Sequence, residues 1–130
     1  MFDLVDDVNA YPQFLPWCSG SRERYRDEDM VEAEVEIHKA AISKTFVTRN
    51  YRQRGKVIEM KLVEGPFKHL QGLWKFEALG DAGCRVSLDL QFEFSSKLLS
   101  LTVGPVFQQI GNTLVDAFCR RAEAKFGKRI

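Results

Sequence analysis

The side chains able to do bond-making chemistry are few and poorly placed for it. His38 falls on the polar side of an alternating strand, and His69 sits beside Lys68 just ahead of another. Neither has a cysteine or carboxylate at metal-ligand spacing, which makes them surface histidines rather than ligands or general bases. Cys18, Cys84 and Cys119 are odd in number and scattered, with no C-x-x-C pair. They suit packing in a reducing cytoplasm rather than a zinc site, a disulfide framework or nucleophilic attack. Carboxylates cluster only in surface-like runs such as Asp27-Glu28-Asp29, with no apolar wall to push two pKa values apart. The patterns of phosphate loops, dinucleotide folds and nucleophile elbows do not occur. The chain reads as a protein that is not an enzyme and holds no metal or resident cofactor.

What it has in surplus is aromatic rings. Ten Phe, three Tyr and two Trp concentrate at Tyr11–Trp17, Phe67, Trp74–Phe76, Phe92–Phe94 and along the last helical segment. A filled core accounts for most of them, but two features point to a cavity. Gly72 lies on an inward register where a packed core needs bulk. The strand Ile42–Arg52 places Lys44, Phe46, Thr48 and Asn50 on one face, polar groups among aromatics, as in an apolar pocket with a few placed hydrogen bonds.

Charge is balanced in sum, at +1, but segregated along the chain. Residues 1–38 are acidic, with Arg22, Arg24 and Arg26 the only bases, whereas residues 39–75 hold nine bases against Glu59 and Glu64. Lys44, Arg49, Arg52, Arg54, Lys56 and Lys68 are therefore candidates for a face that meets nucleic-acid phosphates. Antiparallel pairing of the strand Val31–His38 with Ile42–Arg52 would oppose this by setting Glu32, Glu34 and Glu36 near those bases.

The elements are read from periodicity. Phe2–Val8 is a helix fragment stopped by Pro12, and a turn over Tyr11–Trp17 bunches Tyr11, Phe14, Leu15 and Trp17. Period-two alternation marks strands at Val31–His38, Ile42–Arg52, Lys56–Glu64, Leu70–Ala78 and Cys84–Phe94, with a turn at Gly80-Asp81-Ala82-Gly83. Ser95 or Ser96 caps the next helical segment, Pro105 restarts a helix, and Gly127 stops it. Val106, Phe107, Ile110, Leu114, Phe118, Ala122 and Phe126 form its apolar stripe, along a helix of roughly 33 Å. One such helix and five or six antiparallel strands must bury their apolar faces on each other. No run of apolar residues is long enough to span a membrane, and no signal peptide is visible.

Three blocks carry a resemblance to a known family: DVNAYPQFLPWC from Asp7, ISKTFVTRN from Ile42 and GPFKHLQGLWKF from Gly65. In that order and spacing they resemble the START-like (helix-grip) polyketide cyclase/dehydrase superfamily. Within it they are similar to the branch shared by coenzyme Q-binding proteins and RatA ribosome-association toxins. The resemblance implies an α+β domain spanning residues 1–130, with a curved antiparallel sheet wrapped around the long C-terminal helix and a hydrophobic tunnel between. It implies a bound isoprenoid quinone such as ubiquinone, or another lipid, in support of respiration, with passing membrane contact. The alternative is binding to the 50S ribosomal subunit that blocks 70S formation. A lipid tail would lie along Phe107, Ile110, Leu114 and Phe118, facing Phe46, Trp74 and Phe76. Thr48, Asn50 or Tyr51 would meet the headgroup. Tyr11, Phe14 and Trp17, with Phe67 in its Gly65-Pro66-Phe67 loop, would form the mouth. The family's first strand precedes the helix at Phe2, and this sequence starts at that helix, so one sheet edge is expected to lack its partner.

Overall fold

The structure is a computed structural model and describes residues 2–39, 42–78 and 84–126. Helix α1 (Phe2–Asp6) and a 3-10 turn (Val8–Gln13) lead into six strands. These are β1 (Cys18–Arg26), β2 (Met30–Lys39), β3 (Ile42–Gln53), β4 (Val57–Glu64), β5 (Phe67–Ala78) and β6 (Cys84–Phe94). The short helix α2 (Lys97–Thr102) and the long helix α3 (Gly104–Phe126) complete the chain. The strands form one antiparallel sheet in sequence order, curved and gripped by the C-terminal helix, as expected for the α+β class. The expected turn at residues 80–83, the stop at Gly127 and the side chains of Cys84 and Phe126 lie outside the described residues.

Alternation decides which side of the sheet is covered. Val31, Ala33, Val35 and Ile37 of β2 are buried together on the concave side, as are Ile58 of β4 and Leu70, Trp74 and Phe76 of β5. α3 lays Phe107, Ile110, Phe118 and Ala122 onto that side. Ser96 caps α2 by accepting a hydrogen bond from the Leu99 backbone N–H at 3.1 Å. The Gly65-Pro66 turn packs so closely on β3 that a Cβ at Gly65 would stand 2.8 Å from the Phe46 Cβ.

β1 is a strand that periodicity does not mark, because CSGSRERYR has no alternating apolar set. It is an edge strand held by polar contacts instead. The Ser21 hydroxyl donates to the Val8 carbonyl at 2.6 Å, and the Glu23 N–H donates to Asn9 Oδ1 at 3.1 Å. At the opposite edge, β6 has only β5 as a neighbour among the described residues.

Two arginines close the end of the sheet where α1 sits. Arg52, its side chain 7% exposed, ion-pairs with Asp6 at 2.7 Å and donates to Asp6 Oδ2 at 2.9 Å. Arg26 reaches the same carboxylate at 2.9 Å and also pairs with Glu23. Two charges this dry are stable only as partners, since either alone would keep its desolvation cost. Asp6→Ala should therefore lower the unfolding free energy by about 3 kcal/mol in urea titrations. Asp3→Ala, which breaks an exposed pair with Arg54 at 3.9 Å, should change it by less than about 0.5 kcal/mol.

Candidate ligand cavity

Between α3 and the concave side lies a cavity of about 70 Å³. A water needs roughly 10–15 Å³ on the same measure, whereas pockets for drug-sized ligands run to about 300–1,000 Å³. In this shape it admits a few waters or a short piece of chain. Tyr11, Trp17, Phe46, Thr48, Asn50, Trp74, Phe107, Ile110, Leu114 and Phe118 line it, so most of the candidates read from the sequence meet at one wall. None of the described residues lining it carries a charge.

Three of the aromatic candidates are elsewhere. Phe14 stands outside the wall, edge-on to Phe118 at 5.2 Å and covered by the Arg121 guanidinium at 5.1 Å. Phe76 packs edge-on against Phe2 at 5.5 Å, beyond the end of the cavity. Phe67 stacks on Phe94 at 4.9 Å and meets Phe107 at 5.0 Å. These rings, with Phe46 and Phe92, make a five-phenylalanine cluster that closes the cavity on the side of the Gly65-Pro66 turn.

The wall also includes residues outside the candidate set read from the sequence: Val8, Leu15, Ala33, Val35, Ile37, Met60, Leu70, Leu90 and Gly111. Those on β2 are legible as inward-facing, but nothing local says which stretch of an inward face borders empty space. Gly72 does not open the cavity. A Cβ there would run into Met60 Cε and lie 3.3 Å from Leu90 Cδ1, so those side chains already take its space. Tyr51 turns to the outer face and is 41% exposed, which removes it as a headgroup donor.

The polar part of the wall is a pair. The Thr48 hydroxyl donates to Asn50 Oδ1 at 2.8 Å, with Thr48 3% and Asn50 8% exposed. That bond ties the two side chains together in the cavity wall. The Tyr11 hydroxyl is already engaged with the Val5 carbonyl, so its ring alone faces inward. Burial, aided by Asp6, raises the Tyr11 phenol above its ordinary pKa, and burial likewise raises the Cys18 thiol. Both are neutral at physiological pH, and Cys18 is a packed thiol rather than a nucleophile.

The six candidate bases do not form one face. Arg49 pairs with Glu32 at 3.1 Å, and Arg52 is locked to Asp6. Lys44 lies opposite Ile37 near one end of β3, while Arg54 and Lys56 lie at the other. Ten residues of strand separate Lys44 from Arg54, about 33 Å. Lys68 is exposed at the start of β5.

The Thr48–Asn50 pair can be weighed by a double-mutant cycle. Thr48→Val should cost about 1–2 kcal/mol by stranding Asn50 Oδ1. Adding Asn50→Leu should return stability to within about 1 kcal/mol of the parent, as thermal and urea unfolding would show.

Known proteins share both the sequence and this architecture. The family described as "Polyketide cyclase / dehydrase and lipid transport" matches residues 1–119. The chain is similar to the ribosome association toxin RatA of Pseudomonas aeruginosa, 47% identical over 127 residues, which cover 98% of this chain and 88% of that protein. It is more distantly similar to the mitochondrial coenzyme Q-binding protein COQ10 homolog B of Xenopus laevis, at 28% identity over 138 residues, 99% of this chain and 54% of that one. A solved START superfamily protein from Mycobacterium smegmatis superposes with a TM-score of 0.78 at 21% identity, over 95% of this chain and 87% of that one. The chain belongs to the START-like polyketide cyclase / dehydrase and lipid transport family, on the branch whose curated members include the RatA proteins.

Proposed function

We propose that this protein acts by association with the ribosome, without catalysis, as a RatA-like member of its family. The observation that carries this is the 47% identity to a ribosome association toxin over 98% of the chain. Agreement over that length argues for a shared surface as well as a shared fold. It reverses the order suggested by the aromatic surplus, which put quinone or lipid binding first. The absence of a paired acid, base or nucleophile among the described residues of the cavity wall supports the non-enzymatic reading. Among the described residues no helix is long and apolar enough to cross a membrane. A cytoplasmic site of action and the 50S subunit as target belong to this proposal.

Because Arg49 and Arg52 are spent on internal pairs, the electrostatic contribution falls to Lys44 and Lys68 at one end or Arg54 and Lys56 at the other. A contact through so few phosphates should weaken only gently with salt, with a log–log slope of about −2. In sucrose gradients of cell lysate at low salt the protein should travel with 50S particles. Charge reversal of Lys44 and Lys68, or of Arg54 and Lys56, should release it in one case and not the other. A protein that stays at the top of the gradient at low salt sinks this reading.

A second reading has its own support in the Thr48–Asn50 pair, a polar spot in an otherwise apolar, uncharged wall. The ligand that suits it is neutral and apolar with one carbonyl-type oxygen, as a quinone or ester has. A carboxylate or phosphate would meet no cation there. Organic extraction of the purified protein and mass spectrometry should recover such a molecule, and about tenfold less from Asn50→Leu. A persistently empty protein, or equal recovery from the variant, counts against it.

A further inference from the structure

We propose that a groove between residues 14–17 and the outer side of α3 takes up unpaired ribosomal RNA, with phosphates at Arg121 and Lys39 and a base against Trp17. This deepens the ribosome reading above and rests on it. Arg121 carries the argument. Its guanidinium lies over the Phe14 ring at 5.1 Å and donates to Gln13 Oε1 at 2.9 Å. Its Nε is buried with no hydrogen-bond acceptor among the described residues. Arg22, Arg24, Arg26, Arg49, Arg52 and Arg120 each pair with a carboxylate, and Arg121 pairs with none among the described residues. Its charge is therefore fixed in place by a ring and an amide, neither of which neutralises it. A forked cation held without a counter-charge suits a phosphate, whose oxygens match the fork.

Lys39 lines the same groove from the sheet side. It continues the inward register of Val31, Ala33, Val35 and Ile37, which turns it toward α3. The His38 N–H donates to the Trp17 carbonyl at 2.8 Å, so the end of β2 is tied to the aromatic segment one residue from Lys39. Lys44 lies opposite Ile37 on the same register, diagonal to Lys39 at about 7–8 Å, and extends the positive rim. Asp116 is the one acid on the groove wall among the described residues, and Arg120 holds it at 3.0 Å. Those two cancel. Arg121 and Lys39 remain as the net charge of the groove.

The shape and lining of the groove select the partner. It holds about 540 Å³, inside the range of about 300–1,000 Å³ for sites that take one small molecule, which suits a nucleotide or two of a strand. The half-buried ring of Trp17 and the exposed Pro16 form one wall, with Thr113 and Ala117 of α3 on the other. Arg121 already covers Phe14, which leaves Trp17 as the stacking platform. A flat ring beside cations supplies both halves of single-strand recognition, one for a base and one for phosphates. A duplex keeps its bases stacked inside and has no use for Trp17. An acidic peptide gains from the cations alone. A second copy docked symmetrically through this groove would bring like charges together. The groove also chooses between the two ends of the sheet, since Lys39 and Lys44 share one end and Arg54 and Lys56 lie at the other.

Two measurements on the full chain test this: fluorescence anisotropy with labelled twelve-nucleotide RNAs of random sequence, and pelleting with purified 50S subunits. At low salt the protein should bind the unpaired pool, and an RNA duplex of equal length about tenfold more weakly. Lys39→Gln with Arg121→Met should weaken binding of the pool about tenfold and flatten its log–log salt slope by about 1.4. Trp17→Leu should cost about tenfold with the slope unchanged, which separates stacking from charge. Arg121 also braces Phe14, so Lys39→Glu is the variant that tests charge without that contact. It should keep the thermal unfolding curve and lose both RNA binding and 50S pelleting. Lys75→Glu, on the exposed side of β5, should change neither. A parent that binds no RNA, or a Lys39→Glu protein that binds it as well as the parent, overturns the proposal. Loss of 50S pelleting by Lys39→Glu with no RNA binding by the parent gives the groove to an acidic protein instead. If the parent pellets with 50S and Lys39→Glu pellets equally, the groove is refuted and the ribosome reading stands. If the parent never pellets with 50S, the ribosome reading falls and takes this proposal with it.

Discussion

A helix about 10 Å across cannot fill the trough of a curved six-stranded sheet, and every other feature of the interior answers to that mismatch. The sheet and α3 each present one apolar side, so neither is stable without the other. The gap left between them has to be filled by large side chains or remain open. Here aromatic rings take most of it, in two groups. One surrounds Trp74 and Phe118, and the other is the five-phenylalanine cluster, with Trp17 and Phe46 touching both. The cavity is what remains between those groups. Its wall keeps a polar pair, Thr48 and Asn50, at a depth where a leucine would be simpler to accommodate.

The features legible in the sequence are those that depend on local period. Alternation locates β2 through β6 and tells inward from outward, and spacing of three and four locates α3 and its buried stripe. β1 escapes because an edge strand secured by Ser21, Glu23 and Arg26 needs no apolar alternation. Position within a face is the harder matter. Trp74 and Phe76 share one side of β5, yet only Trp74 borders the cavity, because Phe2 of α1 covers Phe76. Gly72 misleads for a related reason. A missing side chain leaves a hole only if no neighbour reaches in, and Met60 sits directly across at that register.

The charge pattern shows how register rewrites composition. Acidic and basic stretches of the chain become cross-strand neighbours: Glu32 lies opposite Arg49 and pairs with it at 3.1 Å. Arg52 goes further and becomes part of the interior with Asp6. A sum of bases over residues 39–75 therefore overstates the positive surface. Association with the ribosome, if driven by a few lysines at one end, would depend on shape and apolar contact more than on long-range attraction.

The volume of the cavity bears on both readings at once. At about 70 Å³ it is too small for a quinone with any tail, so the ligand reading requires the phenylalanine layer to part. The rings of Phe92, Phe94 and Phe107 all meet edge-to-face. They lie where Pro105 interrupts the helix hydrogen bonding, between the cavity and the solvent. Entry past Tyr11 and Trp17, the other aromatic side of the wall, would instead disturb the 3-10 turn and the contact of the Tyr11 hydroxyl with the Val5 carbonyl.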